Sequence, residues 1–183
     1  MAGGVLQNQQ KALSSMCGIV AAAAKREVSE ILLEGLRRLE YRGYDSAGIA
    51  LINSGGVLKY HKCLGKVKVL ENAQREATIS GATGIAHTRW ATHGEPTRAN
   101  AHPHVAGERV ALVHNGIIEN YKMLRDDLAL KGFVFRSQTD TEVIVQLIYS
   151  GMKTGLSLPD AARSATDRLK GAYAIAVIDR ENP

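Results

Sequence analysis

The apolar positions of this 183-residue chain change period several times. Residues 17–24 (CGIVAAAA) form an unbroken apolar run, which predicts a buried strand. Val28, Ile31, Leu32, Leu36 and Leu39 then recur at helical spacing with charges opposite, predicting an amphipathic helix that ends near Tyr41, Arg42 and Gly43. Residues 47–52 read as a strand, Ser54, Gly55 and Gly56 as a turn, and 57–61 as the hairpin partner. A helix is predicted over 66–77 and strands over 83–87 and 109–115. A helix over 119–131 is closed by Gly132, and 133–136 reads as a strand. Two helices follow, 141–152 capped by Thr139 or Asp140, and 157–169 capped by Ser157 with Pro159 in its first turn. Residues 172–178 are a β-rich run. Hairpins mixed with paired helices predict α+β layers rather than strict βαβ alternation.

One stretch resists this reading. Residues 88–105 are polar and carry little apolar periodicity, and structureless segments of such length in compact domains tend to be functional loops. Composition narrows the field further. The chain is 45% apolar and 22% charged, enough for one domain with a core and short for two. No apolar run reaches the roughly 18 residues of a membrane span, and residues 1–16 lack the apolar stretch of a secretory signal. Two cysteines, Cys17 and Cys63, make no disulfide framework, so a reducing cytoplasm is the expected compartment. The net charge of +5 is spread along the chain without a basic block, so neither nucleic acid nor membrane is an expected partner. Phosphate-binding and dinucleotide-binding glycine loops are absent. His102 and His104 lack a cluster of further ligands at metal spacing, and Cys63 reads as a structural thiol.

Chemistry gathers in five strings. These are Cys17-Gly18-Ile19-Val20, the run 41–48 (YRGYDSAG), the run 87–96 (HTRWATHGEP), His114-Asn115-Gly116, and Thr139-Asp140-Thr141-Glu142. In this order they closely resemble the glutaminase domain of the glutamine–fructose-6-phosphate aminotransferase family, within the class II N-terminal-nucleophile amidotransferases. The resemblance runs from Met16 to the last residue. It implies a four-layer αββα sandwich, no cofactor and no metal, with L-glutamine as substrate.

The residue types suit that chemistry. Breaking a carboxamide requires a nucleophile, a base, an oxyanion site and substrate anchors. Cys17 supplies the thiol. The resemblance implies that the α-amine of this residue is the base, and an amine of pKa about 7.7–8.0 matches working pH better than a lysine. It also implies that the Asn115 side chain and the Gly116 amide stabilise the oxyanion, that Arg89 binds the glutamine α-carboxylate, and that Asp140 binds its α-ammonium. The resemblance implies too that residues 89–93, with Trp90, Thr92 and His93, form a loop that closes over bound glutamine, Trp90 helping to gate ammonia release. Tyr44 and Asp45 support the site or a domain contact. Blander readings stand beside these: a tight turn at Asn115-Gly116, a core aromatic at Trp90, a surface arginine, a helix-capping Asp140. His87 and His114 read as satisfied, partly buried histidines.

The resemblance further implies that ammonia passes to a sugar-isomerase domain acting on fructose 6-phosphate, a domain absent from these residues, and that the full-length protein is a homodimer. Three departures qualify it. Residues 1–16 precede Cys17 and read as a leader, an alternative start or a propeptide, so the base is tied up in a peptide bond. The β core is expected to be incomplete at the C-terminus. Ala21 stands where the family usually has Gly, with little expected effect. The rival readings are a class II amidotransferase with another acceptor, a non-catalytic truncated remnant and, remotely, a papain-like protease.

Overall fold

A computed structural model describes residues 17–90 and 94–183. The chain runs β1 (Gly18–Ala23), α1 (Ser29–Leu39), a short 3₁₀ turn (Glu40–Arg42), β2 (Ser46–Ile52), β3 (Leu58–Leu64), α2 (Val67–Glu76) and β4 (Thr83–Arg89). It continues through β5 (His104–Ala106), β6 (Val110–Gly116), α3 (Tyr121–Leu130), α4 (Asp140–Lys153), α5 (Leu158–Thr166) and β7 (Tyr173–Asp179). Two antiparallel sheets result, ordered β1-β4-β2-β3 and β5-β6-β7.

The layers follow from which face each apolar set buries. Val28, Leu32 and Leu36 of the first helical segment pack with Val67 and Leu70 of α2 onto Ile49, Leu51 and Ala86 of the first sheet. On its other face that sheet presents Ala50, Ile52 and Ile85 to Ala111, Val113 and Ile178 of the second. The far face of the second sheet carries Val110 and Leu112 against Leu124 and Leu128 of α3 and Val143, Ile144 and Ile148 of α4. The order is helices, sheet, sheet, helices: the expected αββα sandwich. Alternation along β1 shows the same logic, with Val20 and Ala22 on the helical side and Ile19 on the sheet–sheet side. β2 is buried at every position, which explains its continuous rather than alternating apolar run. Each large side chain such as Leu32 or Ile49, fully withdrawn from water, contributes about 1.5–3 kcal/mol.

Two expectations need correction. Residues 133–136 form no strand. Their backbone is used otherwise: the Phe133 amide donates to the Leu128 carbonyl (3.1 Å) just after α3 ends at Leu130, and the Arg136 and Ser137 amides donate to the Glu142 carboxylate (2.9 and 2.7 Å). Phe133 and Phe135 instead pack on the helical core. The polar stretch 88–105 is also less irregular than expected. β4 extends through Arg89, and His104 opens β5, whose three residues are too few to show a period. The leader reading of 1–16 and the loop residues Thr92 and His93 lie outside the described residues. No helix among the described residues is long and apolar enough to cross a membrane.

Candidate active site

Cys17 directly precedes β1, and the end of β4 runs antiparallel beside it, pairing Gly18 with Thr88. The Trp90 amide donates to the Cys17 sulfur at 3.3 Å, and the thiol lies 3.7 Å from the Trp90 carbonyl. The Gly18 amide donates to the Thr88 hydroxyl at 3.2 Å. From the second sheet, the Asn115 side-chain amide donates to the Cys17 carbonyl at 2.9 Å. The two sheets therefore meet at this residue: the first grips its sulfur and the second its carbonyl.

Burial pushes the Cys17 thiol above its ordinary pKa, and the nearby Asp45 charge adds to this. The Trp90 hydrogen bond and the Arg89 guanidinium oppose the shift without reversing it. The resting sulfur is a neutral thiol at pH 7 and needs a base to become a nucleophile.

Gly43, from the run 41–48, owes its identity to a close approach. A Cβ there would sit 2.7 Å from the Arg89 carbonyl carbon and 3.0 Å from the Trp90 nitrogen. The neighbouring Asp45 amide donates to the Arg89 carbonyl at 3.2 Å. The Tyr44 ring meets Trp90 edge-on, with centroids 5.0 Å apart. This run thus supports the peptide that holds the sulfur. Trp90 is 38% exposed, so it is a rim aromatic rather than a core one.

Arg89 is buried, and its guanidinium donates to the Gly94 and Glu95 carbonyls at 3.4 and 3.5 Å. Asn100 ties this segment down, donating to the Glu95 carbonyl (2.9 Å) and accepting from the Gln138 amide (2.9 Å). Lys62 of β3 donates to the Ala99 carbonyl at 3.1 Å, and burial brings its pKa down to about 8.

Gly116 has φ +135°, and a Cβ there would collide with the Ala172 carbonyl and Tyr173. Asp140 opens α4 and is buried; its Oδ2 accepts the Ile118 amide at 2.9 Å. Thr139 is the cap, accepting from the Glu142 amide at 3.4 Å.

Cys17 thus contacts both Trp90 and Asn115. Arg89 is next to Trp90 in the chain, and Gly116 next to Asn115. Asp140 reaches the group through Ile118, two residues past Gly116. Ala21 is exposed and lines a groove of about 390 Å³ between β1 and β7, so its methyl group faces away from the α1 side of the strand and crowds nothing at the thiol. Cys63 lies in β3 beside the outer core, with its pKa raised by burial, which agrees with a packing role.

His87 and His114 are more deeply buried than expected, and they join His102 and His104 in one polar cluster. The sequence reading missed the cluster, together with Thr141 and Lys62. The His102–His104 pair was the visible clue, and its proper reading is hydrogen bonding to hydroxyls and imidazole. No group of three or more possible metal ligands occurs among the described residues.

Comparison with known proteins bears on this geometry. The profile of a glutamine amidotransferase domain matches residues 87–183. The chain is 58% identical over 168 residues to the glutamine–fructose-6-phosphate aminotransferase (isomerizing) of Haemophilus influenzae and 55% identical to that of Pseudomonas putida. These matches cover 92% of the chain but only 27% and 28% of those proteins, so it spans about a quarter of their length. Among solved structures, the glutamine phosphoribosylpyrophosphate amidotransferase of B. subtilis superposes with a TM-score of 0.73 at 29% identity, covering 90% of this chain and 35% of that one.

Proposed function

The chain belongs to the glutamine amidotransferase domain family, and we propose on that footing that it takes the amide nitrogen from L-glutamine with Cys17 as nucleophile. The Cys17 sulfur attacks the side-chain carbonyl carbon, and its proton passes to a base. The C–N bond then breaks, ammonia leaves with the proton the base returns, and a thioester remains. Water attacks the thioester, giving glutamate and the free thiol.

The observation that carries this reading is the convergence of both sheets on Cys17, with sulfur and carbonyl each held by a named donor. Asn115 has two amide protons, and the Cys17 carbonyl engages one. The second, together with the Gly116 amide, serves the tetrahedral oxyanion. Arg89 pairs with the substrate α-carboxylate and Asp140 with its α-ammonium. Thr92 and His93 are assigned to substrate binding alongside them.

The base is the α-amine of Cys17, released when residues 1–16 are removed. While Met16 is joined to Cys17 that nitrogen is an amide and binds no proton at working pH. The ammonia is delivered to fructose 6-phosphate in a further domain, yielding glucosamine 6-phosphate. Identity of 55–58% to aminotransferases of that name, against 29% to the phosphoribosylpyrophosphate enzyme, favours the sugar acceptor.

The test compares ammonia release from glutamine by a chain beginning at Cys17 with release by the 183-residue chain. The shorter chain is expected to be active and the longer one nearly inert, and Cys17→Ala is expected to abolish release in both. A glutamine-mimicking electrophile should map to Cys17. Equal rates with and without the leader would remove the amine as base; ammonia release by Cys17→Ala would remove the sulfur.

A further inference from the structure

Deep in the molecule a chain of polar side chains joins elements that carry the proposed site. His102 Nδ1 lies 3.1 Å from His87 Nε2, and His102 Nε2 lies 3.0 Å from the Thr141 hydroxyl oxygen. The same hydroxyl oxygen lies 2.9 Å from His114 Nδ1. All four residues are buried. Each is a close sequence neighbour of a site residue or of the segment that packs on one: His87 precedes Arg89 by two, His114 precedes Asn115, and Thr141 follows Asp140.

Proton counting constrains this chain. A hydroxyl has one proton and a neutral imidazole has one N–H. Thr141 can therefore donate to only one of its two imidazoles, and the other must donate to it. The same holds at His102, so every bond from His87 to His114 points in one direction. Burial and the neighbouring imidazoles keep His87 and His102 neutral at working pH, which agrees with the count.

The consequence falls on Asp140. Its Oδ2 accepts the Ile118 amide, and its Oδ1 is 3.9 Å from His114 Nδ1, too long for a hydrogen bond. His114 Nδ1 thus stands between a hydroxyl at bonding distance and a carboxylate just beyond it. We propose that Thr141 is a positioning residue: its hydroxyl holds His114 off Asp140 and so keeps the Oδ1 oxygen open to the α-ammonium of glutamine. The proposal rests on the reading of Asp140 as ammonium anchor. Without the hydroxyl, His114 takes the tautomer with a proton on Nδ1 and turns a short way to donate to Oδ1, competing with the substrate for that oxygen.

The test uses the full chain and two ligands, L-glutamine and glutaramate, which is glutamine without its α-amine. Thr141→Val, isosteric but without the hydroxyl, should weaken L-glutamine binding on the order of tenfold, as expected for a compromised hydrogen bond to a charged group. Glutaramate binding should stay within about twofold, because that ligand makes no ammonium contact. Thr141→Ser should restore L-glutamine binding. In a His114→Phe background, Thr141→Val should cost nothing further. Should Thr141→Val fail to fold, Thr141→Ala carries the same expectations.

Equal loss of both ligands, or no loss of either, overturns the proposal. Nitrogen NMR of the histidines gives a readout free of ligand: His102 and His114 ring resonances should both move in Thr141→Val, and unmoved resonances overturn the hydroxyl bridge. A wild-type chain that binds neither ligand, with resonances that do move, overturns the glutamine reading and leaves the bridge standing.

Discussion

In the proposed mechanism Asn115 has a double duty that makes its replacement costly. One amide proton fastens the Cys17 carbonyl across the gap between sheets. The other is assigned to the oxyanion, and removal of one such donor typically costs about 2.7–4 kcal/mol of barrier. Asn115→Ala is therefore expected to lower kcat for ammonia release by about 100- to 1000-fold, measured in the chain beginning at Cys17. Gly116 next to it is a matter of backbone. At φ +135° with the Ala172 carbonyl against the missing side chain, Gly116→Ala combines strain with collision and should cost about 2–3 kcal/mol of stability, read as a drop in denaturation midpoint. The residues of the proposed site could be nominated from the sequence because each sits in a short local string. The Thr141 bridge was not: its bonds span 39 and 27 positions, and a threonine next to an aspartate at a helix start carries no mark of what lies across the sheet.

α1 was read correctly because one buried face dictates its spacing, and β2 because burial at every position leaves an unbroken apolar run. The 133–136 segment misled because Phe, Val, Phe is strand-like in composition while no ladder takes its amides. Glu142 captures two of the neighbouring amides and the Ser137 hydroxyl (2.6 Å), converting an apparent strand into the entry of α4. A different pair fixes the second sheet. Arg109, just before β6, donates through Nε and Nη2 to both oxygens of Asp179 at the end of β7, each at 2.8 Å. Asp179 is buried, which works to raise its pKa, yet the Arg109 bonds and the Glu181 amide hold it below the ordinary value. Removing one partner strands a buried charge. Arg109→Met should destabilise by about 2–4 kcal/mol, a figure reduced for the partial exposure of the arginine, with chemical denaturation as the measurement.

The whole molecule places its histidine cluster at the meeting of both sheets and α4, and this sets its response to acid. His87 is brought down to about 3, and His102 and His104 well below the ordinary value, first by burial and then by neighbouring positive or imidazole groups. The unfolded chain binds protons at these sites from about pH 6.5 downward while the folded chain does not. Their full stabilising contribution is present above that pH and falls as pH drops toward the folded values, by up to about 1.4 kcal/mol per histidine per pH unit. The denaturation midpoint should decline steeply between pH 6.5 and 5; a flat profile there would contradict the burial of these rings. The αββα architecture itself followed from the family resemblance and from the mixture of hairpins and helices. The depth of the imidazoles did not, since a histidine reads alike in a loop and in a core.

The sulfur of Cys17 is held by the main chain of residue 90, not by its indole. Any side chain substituted at that position would leave the same N–H pointing at the thiol, proline excepted. A covalent inhibitor designed to exploit that amide would therefore offer few escape routes at residue 90, whereas one relying on stacking against the ring would lose its footing through a single base change.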